Sequence, residues 1–413
     1  MAVQLLSGQA ASEDPCGDLP VHSVPRIIRA VRLEGLKVTR ESVVRAEIRS
    51  RPCAEFPSVE QDVQRLKSLG IFASVETRWD SDTLVFQFRE LPLFLPVPNG
   101  RSSDEEGLSL GAGVKSPNLM GRAIAGEVLF LAGSSLEYQA SFTSSRLGQV
   151  PLGWELMAGR TERWDDGRGY RELSHSGFVR LWGPTDRALR ALGEAKMVDV
   201  RADRDGVCLS GRVERIPSLR AGIMVDLRDD PADTRVGLYQ ELTLEKTGSP
   251  LGGPVDAWQI LSDSRAWIPL GTRWTLHLAN LYEDRRGKTD RWLSYVVGGA
   301  NTARGLPGAW AVAPSEDLAT IEARWLLLPV RPVTVWGQNL YGGIQVVAGS
   351  DVATAWGEDP RASEAGVFAG VDGIVPFVER IRLNLAWSPA QGGGFGFVFG
   401  LFEKTQAQRF RIR

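Results

Sequence analysis

The chain has 413 residues, 43% of them hydrophobic and 24% charged, with 48 basic against 50 acidic side chains and a formal net charge of −2. No apolar run reaches the roughly 18 residues of a membrane-spanning helix, although a barrel strand needs only about 10 alternating ones. The balanced charge, with no concentrated basic stripe, argues against a nucleic-acid partner. Residues 1–11 lack a charged start and carry only a short apolar stretch, and Gly8-Gln9-Ala10 fits the small-x-small rule of signal cleavage. Residues 1–24 therefore read as a signal-peptide remnant, or a disordered end, followed by a linker.

Residues 25–92 carry a βααββ pattern. Ile27, Ile28, Val31 and Leu33 mark a strand that stops at Gly35. Thr39 is placed to cap a helix reaching about Arg49, with Val43, Val44 and Ile48 on one face. Ser58 is placed to cap a second, Val59 to Leu69, with Val63 and Leu66 at helical spacing and Gly70 as its stop. Two strands follow, Phe72 to Trp79 and Leu84 to Arg89, turning at Asp80-Ser81-Asp82. The proline-rich residues 93–104 read as a linker.

From residue 105 onward no convincing helix is found, only segments in which apolar and polar residues alternate. Ala221, Ile223, Val225 and Leu227 illustrate the period of two, as do Ile381, Leu383, Leu385 and Trp387. About sixteen such segments can be counted, the first at 107–118 and the last at 394–404, and an even number suits a closed bacterial barrel. Segments 206–216 and 220–228 read as two strands, and 333–348 as another. Thirteen tryptophans and 45 glycines suit interfacial aromatic girdles and tight turns.

The glycine-rich segment Val297 to Gly308, with Arg304 at its centre, lies between two alternating runs, Arg273–Asn280 and Ala319–Trp325. An arginine on such a loop can fold back into a barrel lumen and pair with a carboxylate, or it can stay at the surface. No catalytic constellation is present, so no enzymatic activity, metal or cofactor is expected. His22, His175 and His277 fall in a linker and two unrelated strands, and there is neither a Gly-x-Ser-x-Gly elbow nor a phosphate loop. The lumen-side carboxylates Asp226, Glu241, Asp263 and Glu322 read as a solvated wall. Cys208 reads as a small side chain in a strand. Cys16 and Cys53 either form a disulfide or are two free thiols.

Several stretches carry a family resemblance. Leu66 to Val75 is similar to the "LxxLGxFxxV" stretch of POTRA domains. Ala303-Arg304-Gly305-Leu306 resembles the "(V)RG(F/Y)" loop of the Omp85 superfamily, with leucine in place of the aromatic. Leu110 to Arg122 resembles that family's first hairpin, Asp226 to Arg235 its periplasmic turn "DxRDxPxxPTRG", and Gly394 to Thr405 its closing strand. The resemblance covers residues 25 to about 405 in family order. It implies an antiparallel transmembrane β-barrel of about sixteen strands (105–413) behind one βααββ POTRA domain, in the bacterial outer membrane with the POTRA domain in the periplasm.

In that family the loop arginine pairs with a glutamate of the next strand and an aspartate of the one after. Glu322 matches the glutamate. The aspartate's usual Asp-x-Gly triplet is here Val347-Ala348-Gly349, with Asp351 as a replacement. The loop anchor is thus expected to comprise Arg304, Gly305, Leu306, Glu322 and Asp351. A seam between first and last strands is expected at Leu108 and Leu110 against Gly396, Phe397, Phe399 and Gly400. Arg409 to Arg413 extend past the usual family end. An open POTRA edge is expected at Phe72, Ser74, Glu76 and Arg78, where another chain can add a strand. The resemblance implies assembly and insertion of outer-membrane β-proteins, a polypeptide secretion pore of the two-partner type, or an accessory structural barrel. Implied partners are unfolded outer-membrane protein clients, outer-membrane lipid and lipopolysaccharide, and accessory periplasmic or lipoprotein subunits.

Overall fold

The computed structural model describes residues 28–400 apart from 51–58, 104–106, 149, 166–168, 186, 230–232, 290, 300, 301, 336, 358–361, 376, 377 and 390–394. The expectations for the signal remnant, the Ser58 cap, Cys16, Cys53 and Arg409 to Arg413 lie outside the described residues. The chain divides between Glu90 and Leu91 into two compact units.

The first unit holds β1 (Ala30–Glu34), α1 (Glu41–Glu47), α2 (Val59–Ser68), β2 (Phe72–Asp80) and β3 (Thr83–Glu90). Its sheet order is β1-β3-β2, with β1 parallel to β3 and β2 antiparallel to it. β2 is thus an edge strand, with Phe72 buried in the core beside Phe88 and Glu76 and Arg78 exposed. Ser74 follows a bulge in the register with β3. Leu84, Phe86 and Phe88 bury one face of β3 alongside Val44 of α1 and Leu66 of α2. Two carboxylates tie the connections. Buried Asp62 accepts the amides of Arg49 (3.0 Å) and Ser50 (2.8 Å). Glu90 accepts those of Val38 (3.0 Å) and Thr39 (2.8 Å). This corrects the expected Thr39 cap: Arg40 holds the cap position without a side-chain bond, and the Thr39 amide goes to Glu90.

The second unit begins with β4 (Leu95–Ser103), β5 (Gly107–Leu119), β6 (Ile124–Gly133), β7 (Ser135–Ser144), β8 (Gly153–Asp165) and β9 (Tyr170–Gly183). It continues through β10 (Leu189–Ala202), β11 (Val213–Asp226), β12 (Gly237–Gly248), β13 (Asp256–Pro269) and β14 (Trp274–Lys288). A long connection carries the short strands β15 (Tyr295–Val297) and β16 (Ala311–Ala313), which pair with each other. Then come β17 (Ser315–Val335), β18 (Gln338–Trp356), β19 (Ala362–Val375), β20 (Val378–Trp387) and β21 (Phe395–Gly400). β4–β14 and β17–β21 form one antiparallel barrel in which sequence neighbours pair. The ring closes between β21 and β4 through a single register pair among the described residues, Gly400 opposite Arg101. The joint next to it, β20 with β21, has six such pairs.

Burial is inverted relative to a water-soluble sheet. Leu156, Val179, Leu219, Ile223, Leu242, Ile260, Ile321 and Leu385 are exposed on the outer wall, while Glu155, Arg180, Glu241, Asp263, Arg265, Glu322, Arg324 and Asp351 are buried inside. Apolar out and charged in, over sixteen antiparallel strands, makes this a transmembrane β-barrel. The expected solvated wall is corrected, because these acids are paired with cations and, apart from half-buried Asp226, buried. Arg180 meets Glu241 at 2.7 Å, Arg265 meets Asp263 at 2.8 Å, and Asp226 is held by Arg228 at 2.9 Å.

The strand boundaries differ from expectation in ways that prolines explain. Leu95 to Ser103 is the first barrel strand, not a linker, so the seam runs along β4. Leu108 and Leu110 belong to the second strand, β5. A proline nitrogen carries no hydrogen, so the unbroken β4–β5 ladder requires Pro96 and Pro98 to point theirs at the seam. Segments 206–216 and 220–228 are corrected to one strand, β11. Pro217 pairs with Met197 of β10, and its nitrogen faces the side where pairing with β12 begins only at Ser218. Cys208 is buried in the turn before β11, where it bridges to Gly211, and is not in a strand. The turn at 120–123, where Asn118 Oδ1 accepts the Ala123 amide at 2.7 Å, joins the second and third barrel strands, not the first two. Segment 333–348 straddles the β17–β18 turn; Arg331–Val335 and Gln338–Gly342 run on beyond the ladders with β14 and β19.

The Glu90 carboxylate gives the first unit a pH dependence. Burial alone would raise its pKa, but hydrogen bonds from Thr39, Val38 and Lys37 outweigh that and hold it below the ordinary glutamate range. A lowered folded-state pKa gives stability that is present above the unfolded pKa, about 4.3, and lost as pH falls through the folded value. Protease resistance of the first unit in the full chain should therefore drop on acidification below that range. Glu90→Gln should lower resistance at neutral pH and flatten that part of the profile; an unchanged profile would remove Glu90 from the account.

Candidate functional site: a loop anchored inside the barrel

The connection from β14 to β17 folds into the lumen. Its base is the β15–β16 pair, and its tip is tightened by Thr302, whose Oγ1 accepts the Gly298 amide at 2.7 Å. Gly299 donates to the Leu306 carbonyl at 3.0 Å. Ala303, Leu306 and Val297 pack with Leu281, Leu318 and Ala353 of the wall, all buried. This apolar contact supplies non-directional attachment. The charged contact supplies register.

Arg304 is 1% exposed. Its Nε donates to Asp351 Oδ2 at 2.7 Å, its NH2 to Asp351 Oδ1 at 3.0 Å, and its backbone amide to Oδ2 at 2.9 Å. Its NH1 donates to Glu322 Oε2 at 2.9 Å. The guanidinium carbon lies 3.2 Å from the centre of the Phe368 ring. Glu322 Oε1 accepts Arg324 Nε at 2.6 Å, and Arg324 NH2 reaches His277 Nδ1 at 2.9 Å. Thr320 Oγ1 donates to Asp351 Oδ1 at 2.6 Å. Cations and anions alternate along this line, so each buried charge has an opposite neighbour, as a desolvated charge requires.

The register makes the cluster possible. Glu322 stands opposite His277 and Gly349, and Asp351 opposite Thr320 and Gly366, all on the lumen face. At Gly366 a Cβ would lie 2.1 Å from the Arg304 carbonyl oxygen, so only glycine lets the loop backbone come this close. Gly305 has φ +90°, and a Cβ there would meet the Trp387 carbonyl of β20 at 2.7 Å. The structure thus brings Arg304, Gly305, Leu306, Glu322 and Asp351 together, with Asp351 making more bonds to Arg304 than Glu322 does. Val347 is buried opposite Arg324, four residues away from where the carboxylate is needed.

Sequence reading missed Arg324, His277, Thr320, Phe368 and Gly366. Their only signal was lumen-face parity. It also missed the loop's second attachment. Trp292 Nε1 donates to Glu172 Oε2 at 2.8 Å, Arg163 holds the other oxygen at 2.7 Å, and Trp292 packs with Tyr170, Val200, Ile216 and Val255. The other expected sites lie apart from this one. Gly396, Phe397, Phe399 and Gly400 are in β21 at the seam, and Phe72, Ser74, Glu76 and Arg78 are in the first unit. Among the described residues no group of three or more His, Cys, Asp or Glu is arranged to hold a metal. Chemically, the arrangement is a clamp.

No protein-family model matches the sequence, and no curated protein matches it. Solved structures do resemble it in fold. BamA from Haemophilus ducreyi lacking POTRA domains 1–3 is 15% identical with a TM-score of 0.55, over 91% of this chain and 84% of that one. CdiB from Escherichia coli is 13% identical with a TM-score of 0.61, over 89% and 74%. CdiB from Acinetobacter baumannii is 11% identical with a TM-score of 0.57, over 88% and 70%. The fold is that of a sixteen-stranded transmembrane β-barrel with a small N-terminal sheet-and-helix unit. More narrowly, it is the fold that these BamA and CdiB barrels share.

Removing one partner of a buried pair leaves the other charge uncompensated, at a cost of about 3–5 kcal/mol when fully desolvated. Arg304→Ala should release the loop and lower the temperature at which the barrel unfolds on semi-native gels. Lysine should rescue poorly, since it lacks the planar fork that spans both carboxylates. Asp351→Asn should cost more than Glu322→Gln, in line with the bond count. The double variant Arg304→Ala/Asp351→Ala should be no worse than either single; additive losses would show that the two act separately.

Proposed function

We propose that this protein assembles β-barrel clients into the bacterial outer membrane. The observation that carries the reading is the pair of prolines that β4 brings to the seam: Pro96 and Pro98 have no N–H to donate to a ladder there. A seam interrupted in this way can part sideways into the bilayer and lend an incoming strand a partner, with client folding as the source of free energy. In this reading the first unit is a single POTRA domain in the periplasm, and its β2 edge receives unfolded client by strand addition. Accessory periplasmic or lipoprotein subunits help deliver the client, and no cofactor takes part. The anchored loop and its buried ion pairs occupy the lumen, which favours a lateral route over a route through the pore.

Cysteines in place of Arg101 and Gly400, in a background lacking Cys16, Cys53 and Cys208, should crosslink across the seam. The locked protein, reconstituted in liposomes, should stay folded and lose assisted insertion of a barrel client, with recovery on reduction. Full insertion activity with the seam locked would sink the lateral mechanism. Ion conductance without assisted folding would instead support the secretion pore. Proline at Ser74 or Glu76 should weaken client capture if the β2 edge is used.

A further inference from the structure

We propose that the outer wall of strands β7 to β11 is a binding site for a phosphorylated glycolipid of the outer leaflet that carries several acyl chains. The inference rests on the outer-membrane location read above, with the loop end of the barrel facing outward. Across these strands the lipid-facing residues fall into register rows. One row is Ala140, Ala158 and Gly177, continuing to Met197 and Pro217. The row below is Phe142, Leu156, Val179, Ala195 and Leu219. Small side chains between larger ones leave a concavity of about 790 Å³ in the wall, overhung at one end by Leu251 of the β12–β13 loop. With strands about 4.8 Å apart, five of them make a floor about 19 Å wide, room for several alkyl chains side by side.

Directly loopward, about 7 Å further along the strands, the next row is Tyr138, Arg160, His175, Asp199 and Arg215. Arg201 and Arg171 stand just above it on the same outer face. Charged side chains on a lipid-facing surface are costly at mid-membrane and cheap only at the headgroup level, so this row marks that level. Four arginines face three carboxylates there. Glu162 bridges Arg160 (3.1 Å) and Arg171 (2.7 Å), Asp199 holds Arg215 at 2.8 Å, and Asp203 accepts the Arg171 amide at 2.9 Å, so these groups keep one net positive charge. Arg171 and Arg215 remain 62% and 72% exposed in their side chains. At the same end of the neighbouring strands β5 and β6 the outward residues are Leu108, Leu110 and Phe130. That flank is therefore uncharged, whereas on the other flank Lys246 and Arg286 continue the cations at the same end.

Arginine forks match phosphate oxygens. Arg160 on β8 and Arg215 on β11 are three strands apart, about 14 Å, a separation that suits two phosphates at opposite ends of a disaccharide better than the one phosphate of a two-chain phospholipid. Tyr138, under the Arg160 guanidinium at 5.7 Å, supplies an amphipathic ring at that level, and Trp164 another further loopward, opposite Arg171.

The test is native mass spectrometry of the full chain released from detergent, offered four probes separately. They are a bisphosphorylated hexa-acyl disaccharide lipid, its monophosphorylated form, phosphatidylglycerol and phosphatidylethanolamine. The bisphosphorylated lipid should be retained in preference to the other three. Arg201→Gln with Arg215→Gln should weaken its retention about thirtyfold, taking roughly a fivefold step per arginine near a charged headgroup. Ala158→Leu with Ala195→Leu, which fills the concavity with apolar bulk, should weaken it while leaving the arginines in place. Both variants are first checked for an unchanged unfolding temperature on semi-native gels. Equal retention of phosphatidylglycerol or phosphatidylethanolamine, or unchanged retention in the charge variant, overturns the proposal. Client insertion is scored separately, so a protein that inserts clients without selecting this lipid defeats only the lipid site. One that selects the lipid without inserting clients defeats only the insertase reading.

Discussion

The Arg304 guanidinium, taken out of water and divided between Asp351 and Glu322, is the contact on which the interior of this barrel depends. A single buried cation would be unstable there. It is tolerated because the line Asp351, Arg304, Glu322, Arg324 alternates in sign and ends on His277. The carboxylates come from neighbouring strands and the arginine from a loop, so the cluster forms only when β17, β18 and the loop are all in place. It couples loop position to wall register. Apolar packing around Leu306 then adds attraction without direction, and the Trp292 contact holds the loop's near end to the opposite wall.

That bracing is not evenly shared. The loop touches β17 and β18 through the ion pairs, β19 at Gly366 and β20 at the Trp387 carbonyl. It therefore stiffens the wall up to the strand next to β21 and stops short of β4. The next joint along, β21 with β4, sets Gly400 opposite Arg101.

Prolines mark where ladders stop. Pro96 and Pro98 point their bare nitrogens at the seam, and Pro217 points its own past the end of the β12 ladder. Pro269, paired with Thr275, faces β12 beyond its last pair at Trp267. Pro332, paired with Tyr341, faces the side where β14 has ended at Trp325. In each case the strand continues because only one of its two sides needs a donor. Proline in this sequence is thus a marker of pairing limits, and reading it as a strand breaker misplaces both the first strand and β11.

What the sequence determined by itself was the alternation. Period-two runs separated by turns specify an antiparallel barrel, and their parity already places Glu322 and His277 on the inner face, because adjacent side chains on a strand must point opposite ways. Helical spacing around Val44 and Leu66 likewise specified the first unit. The strand count of sixteen was legible only because two misreadings offset each other, one strand divided at Pro217 and one hidden by Pro96 and Pro98. The tertiary structure alone decided the register. Asp351 rather than position 347 meets Arg304 because the β17–β18 ladder sets it beside Thr320, and Gly366 matters only because the loop backbone lands on it. The seam also belongs to the closed ring, since the strand that ends it is defined by what pairs beside it. Local preference acts within a few residues; register and closure are settled by contacts between segments far apart in the chain, and no local pattern encodes them.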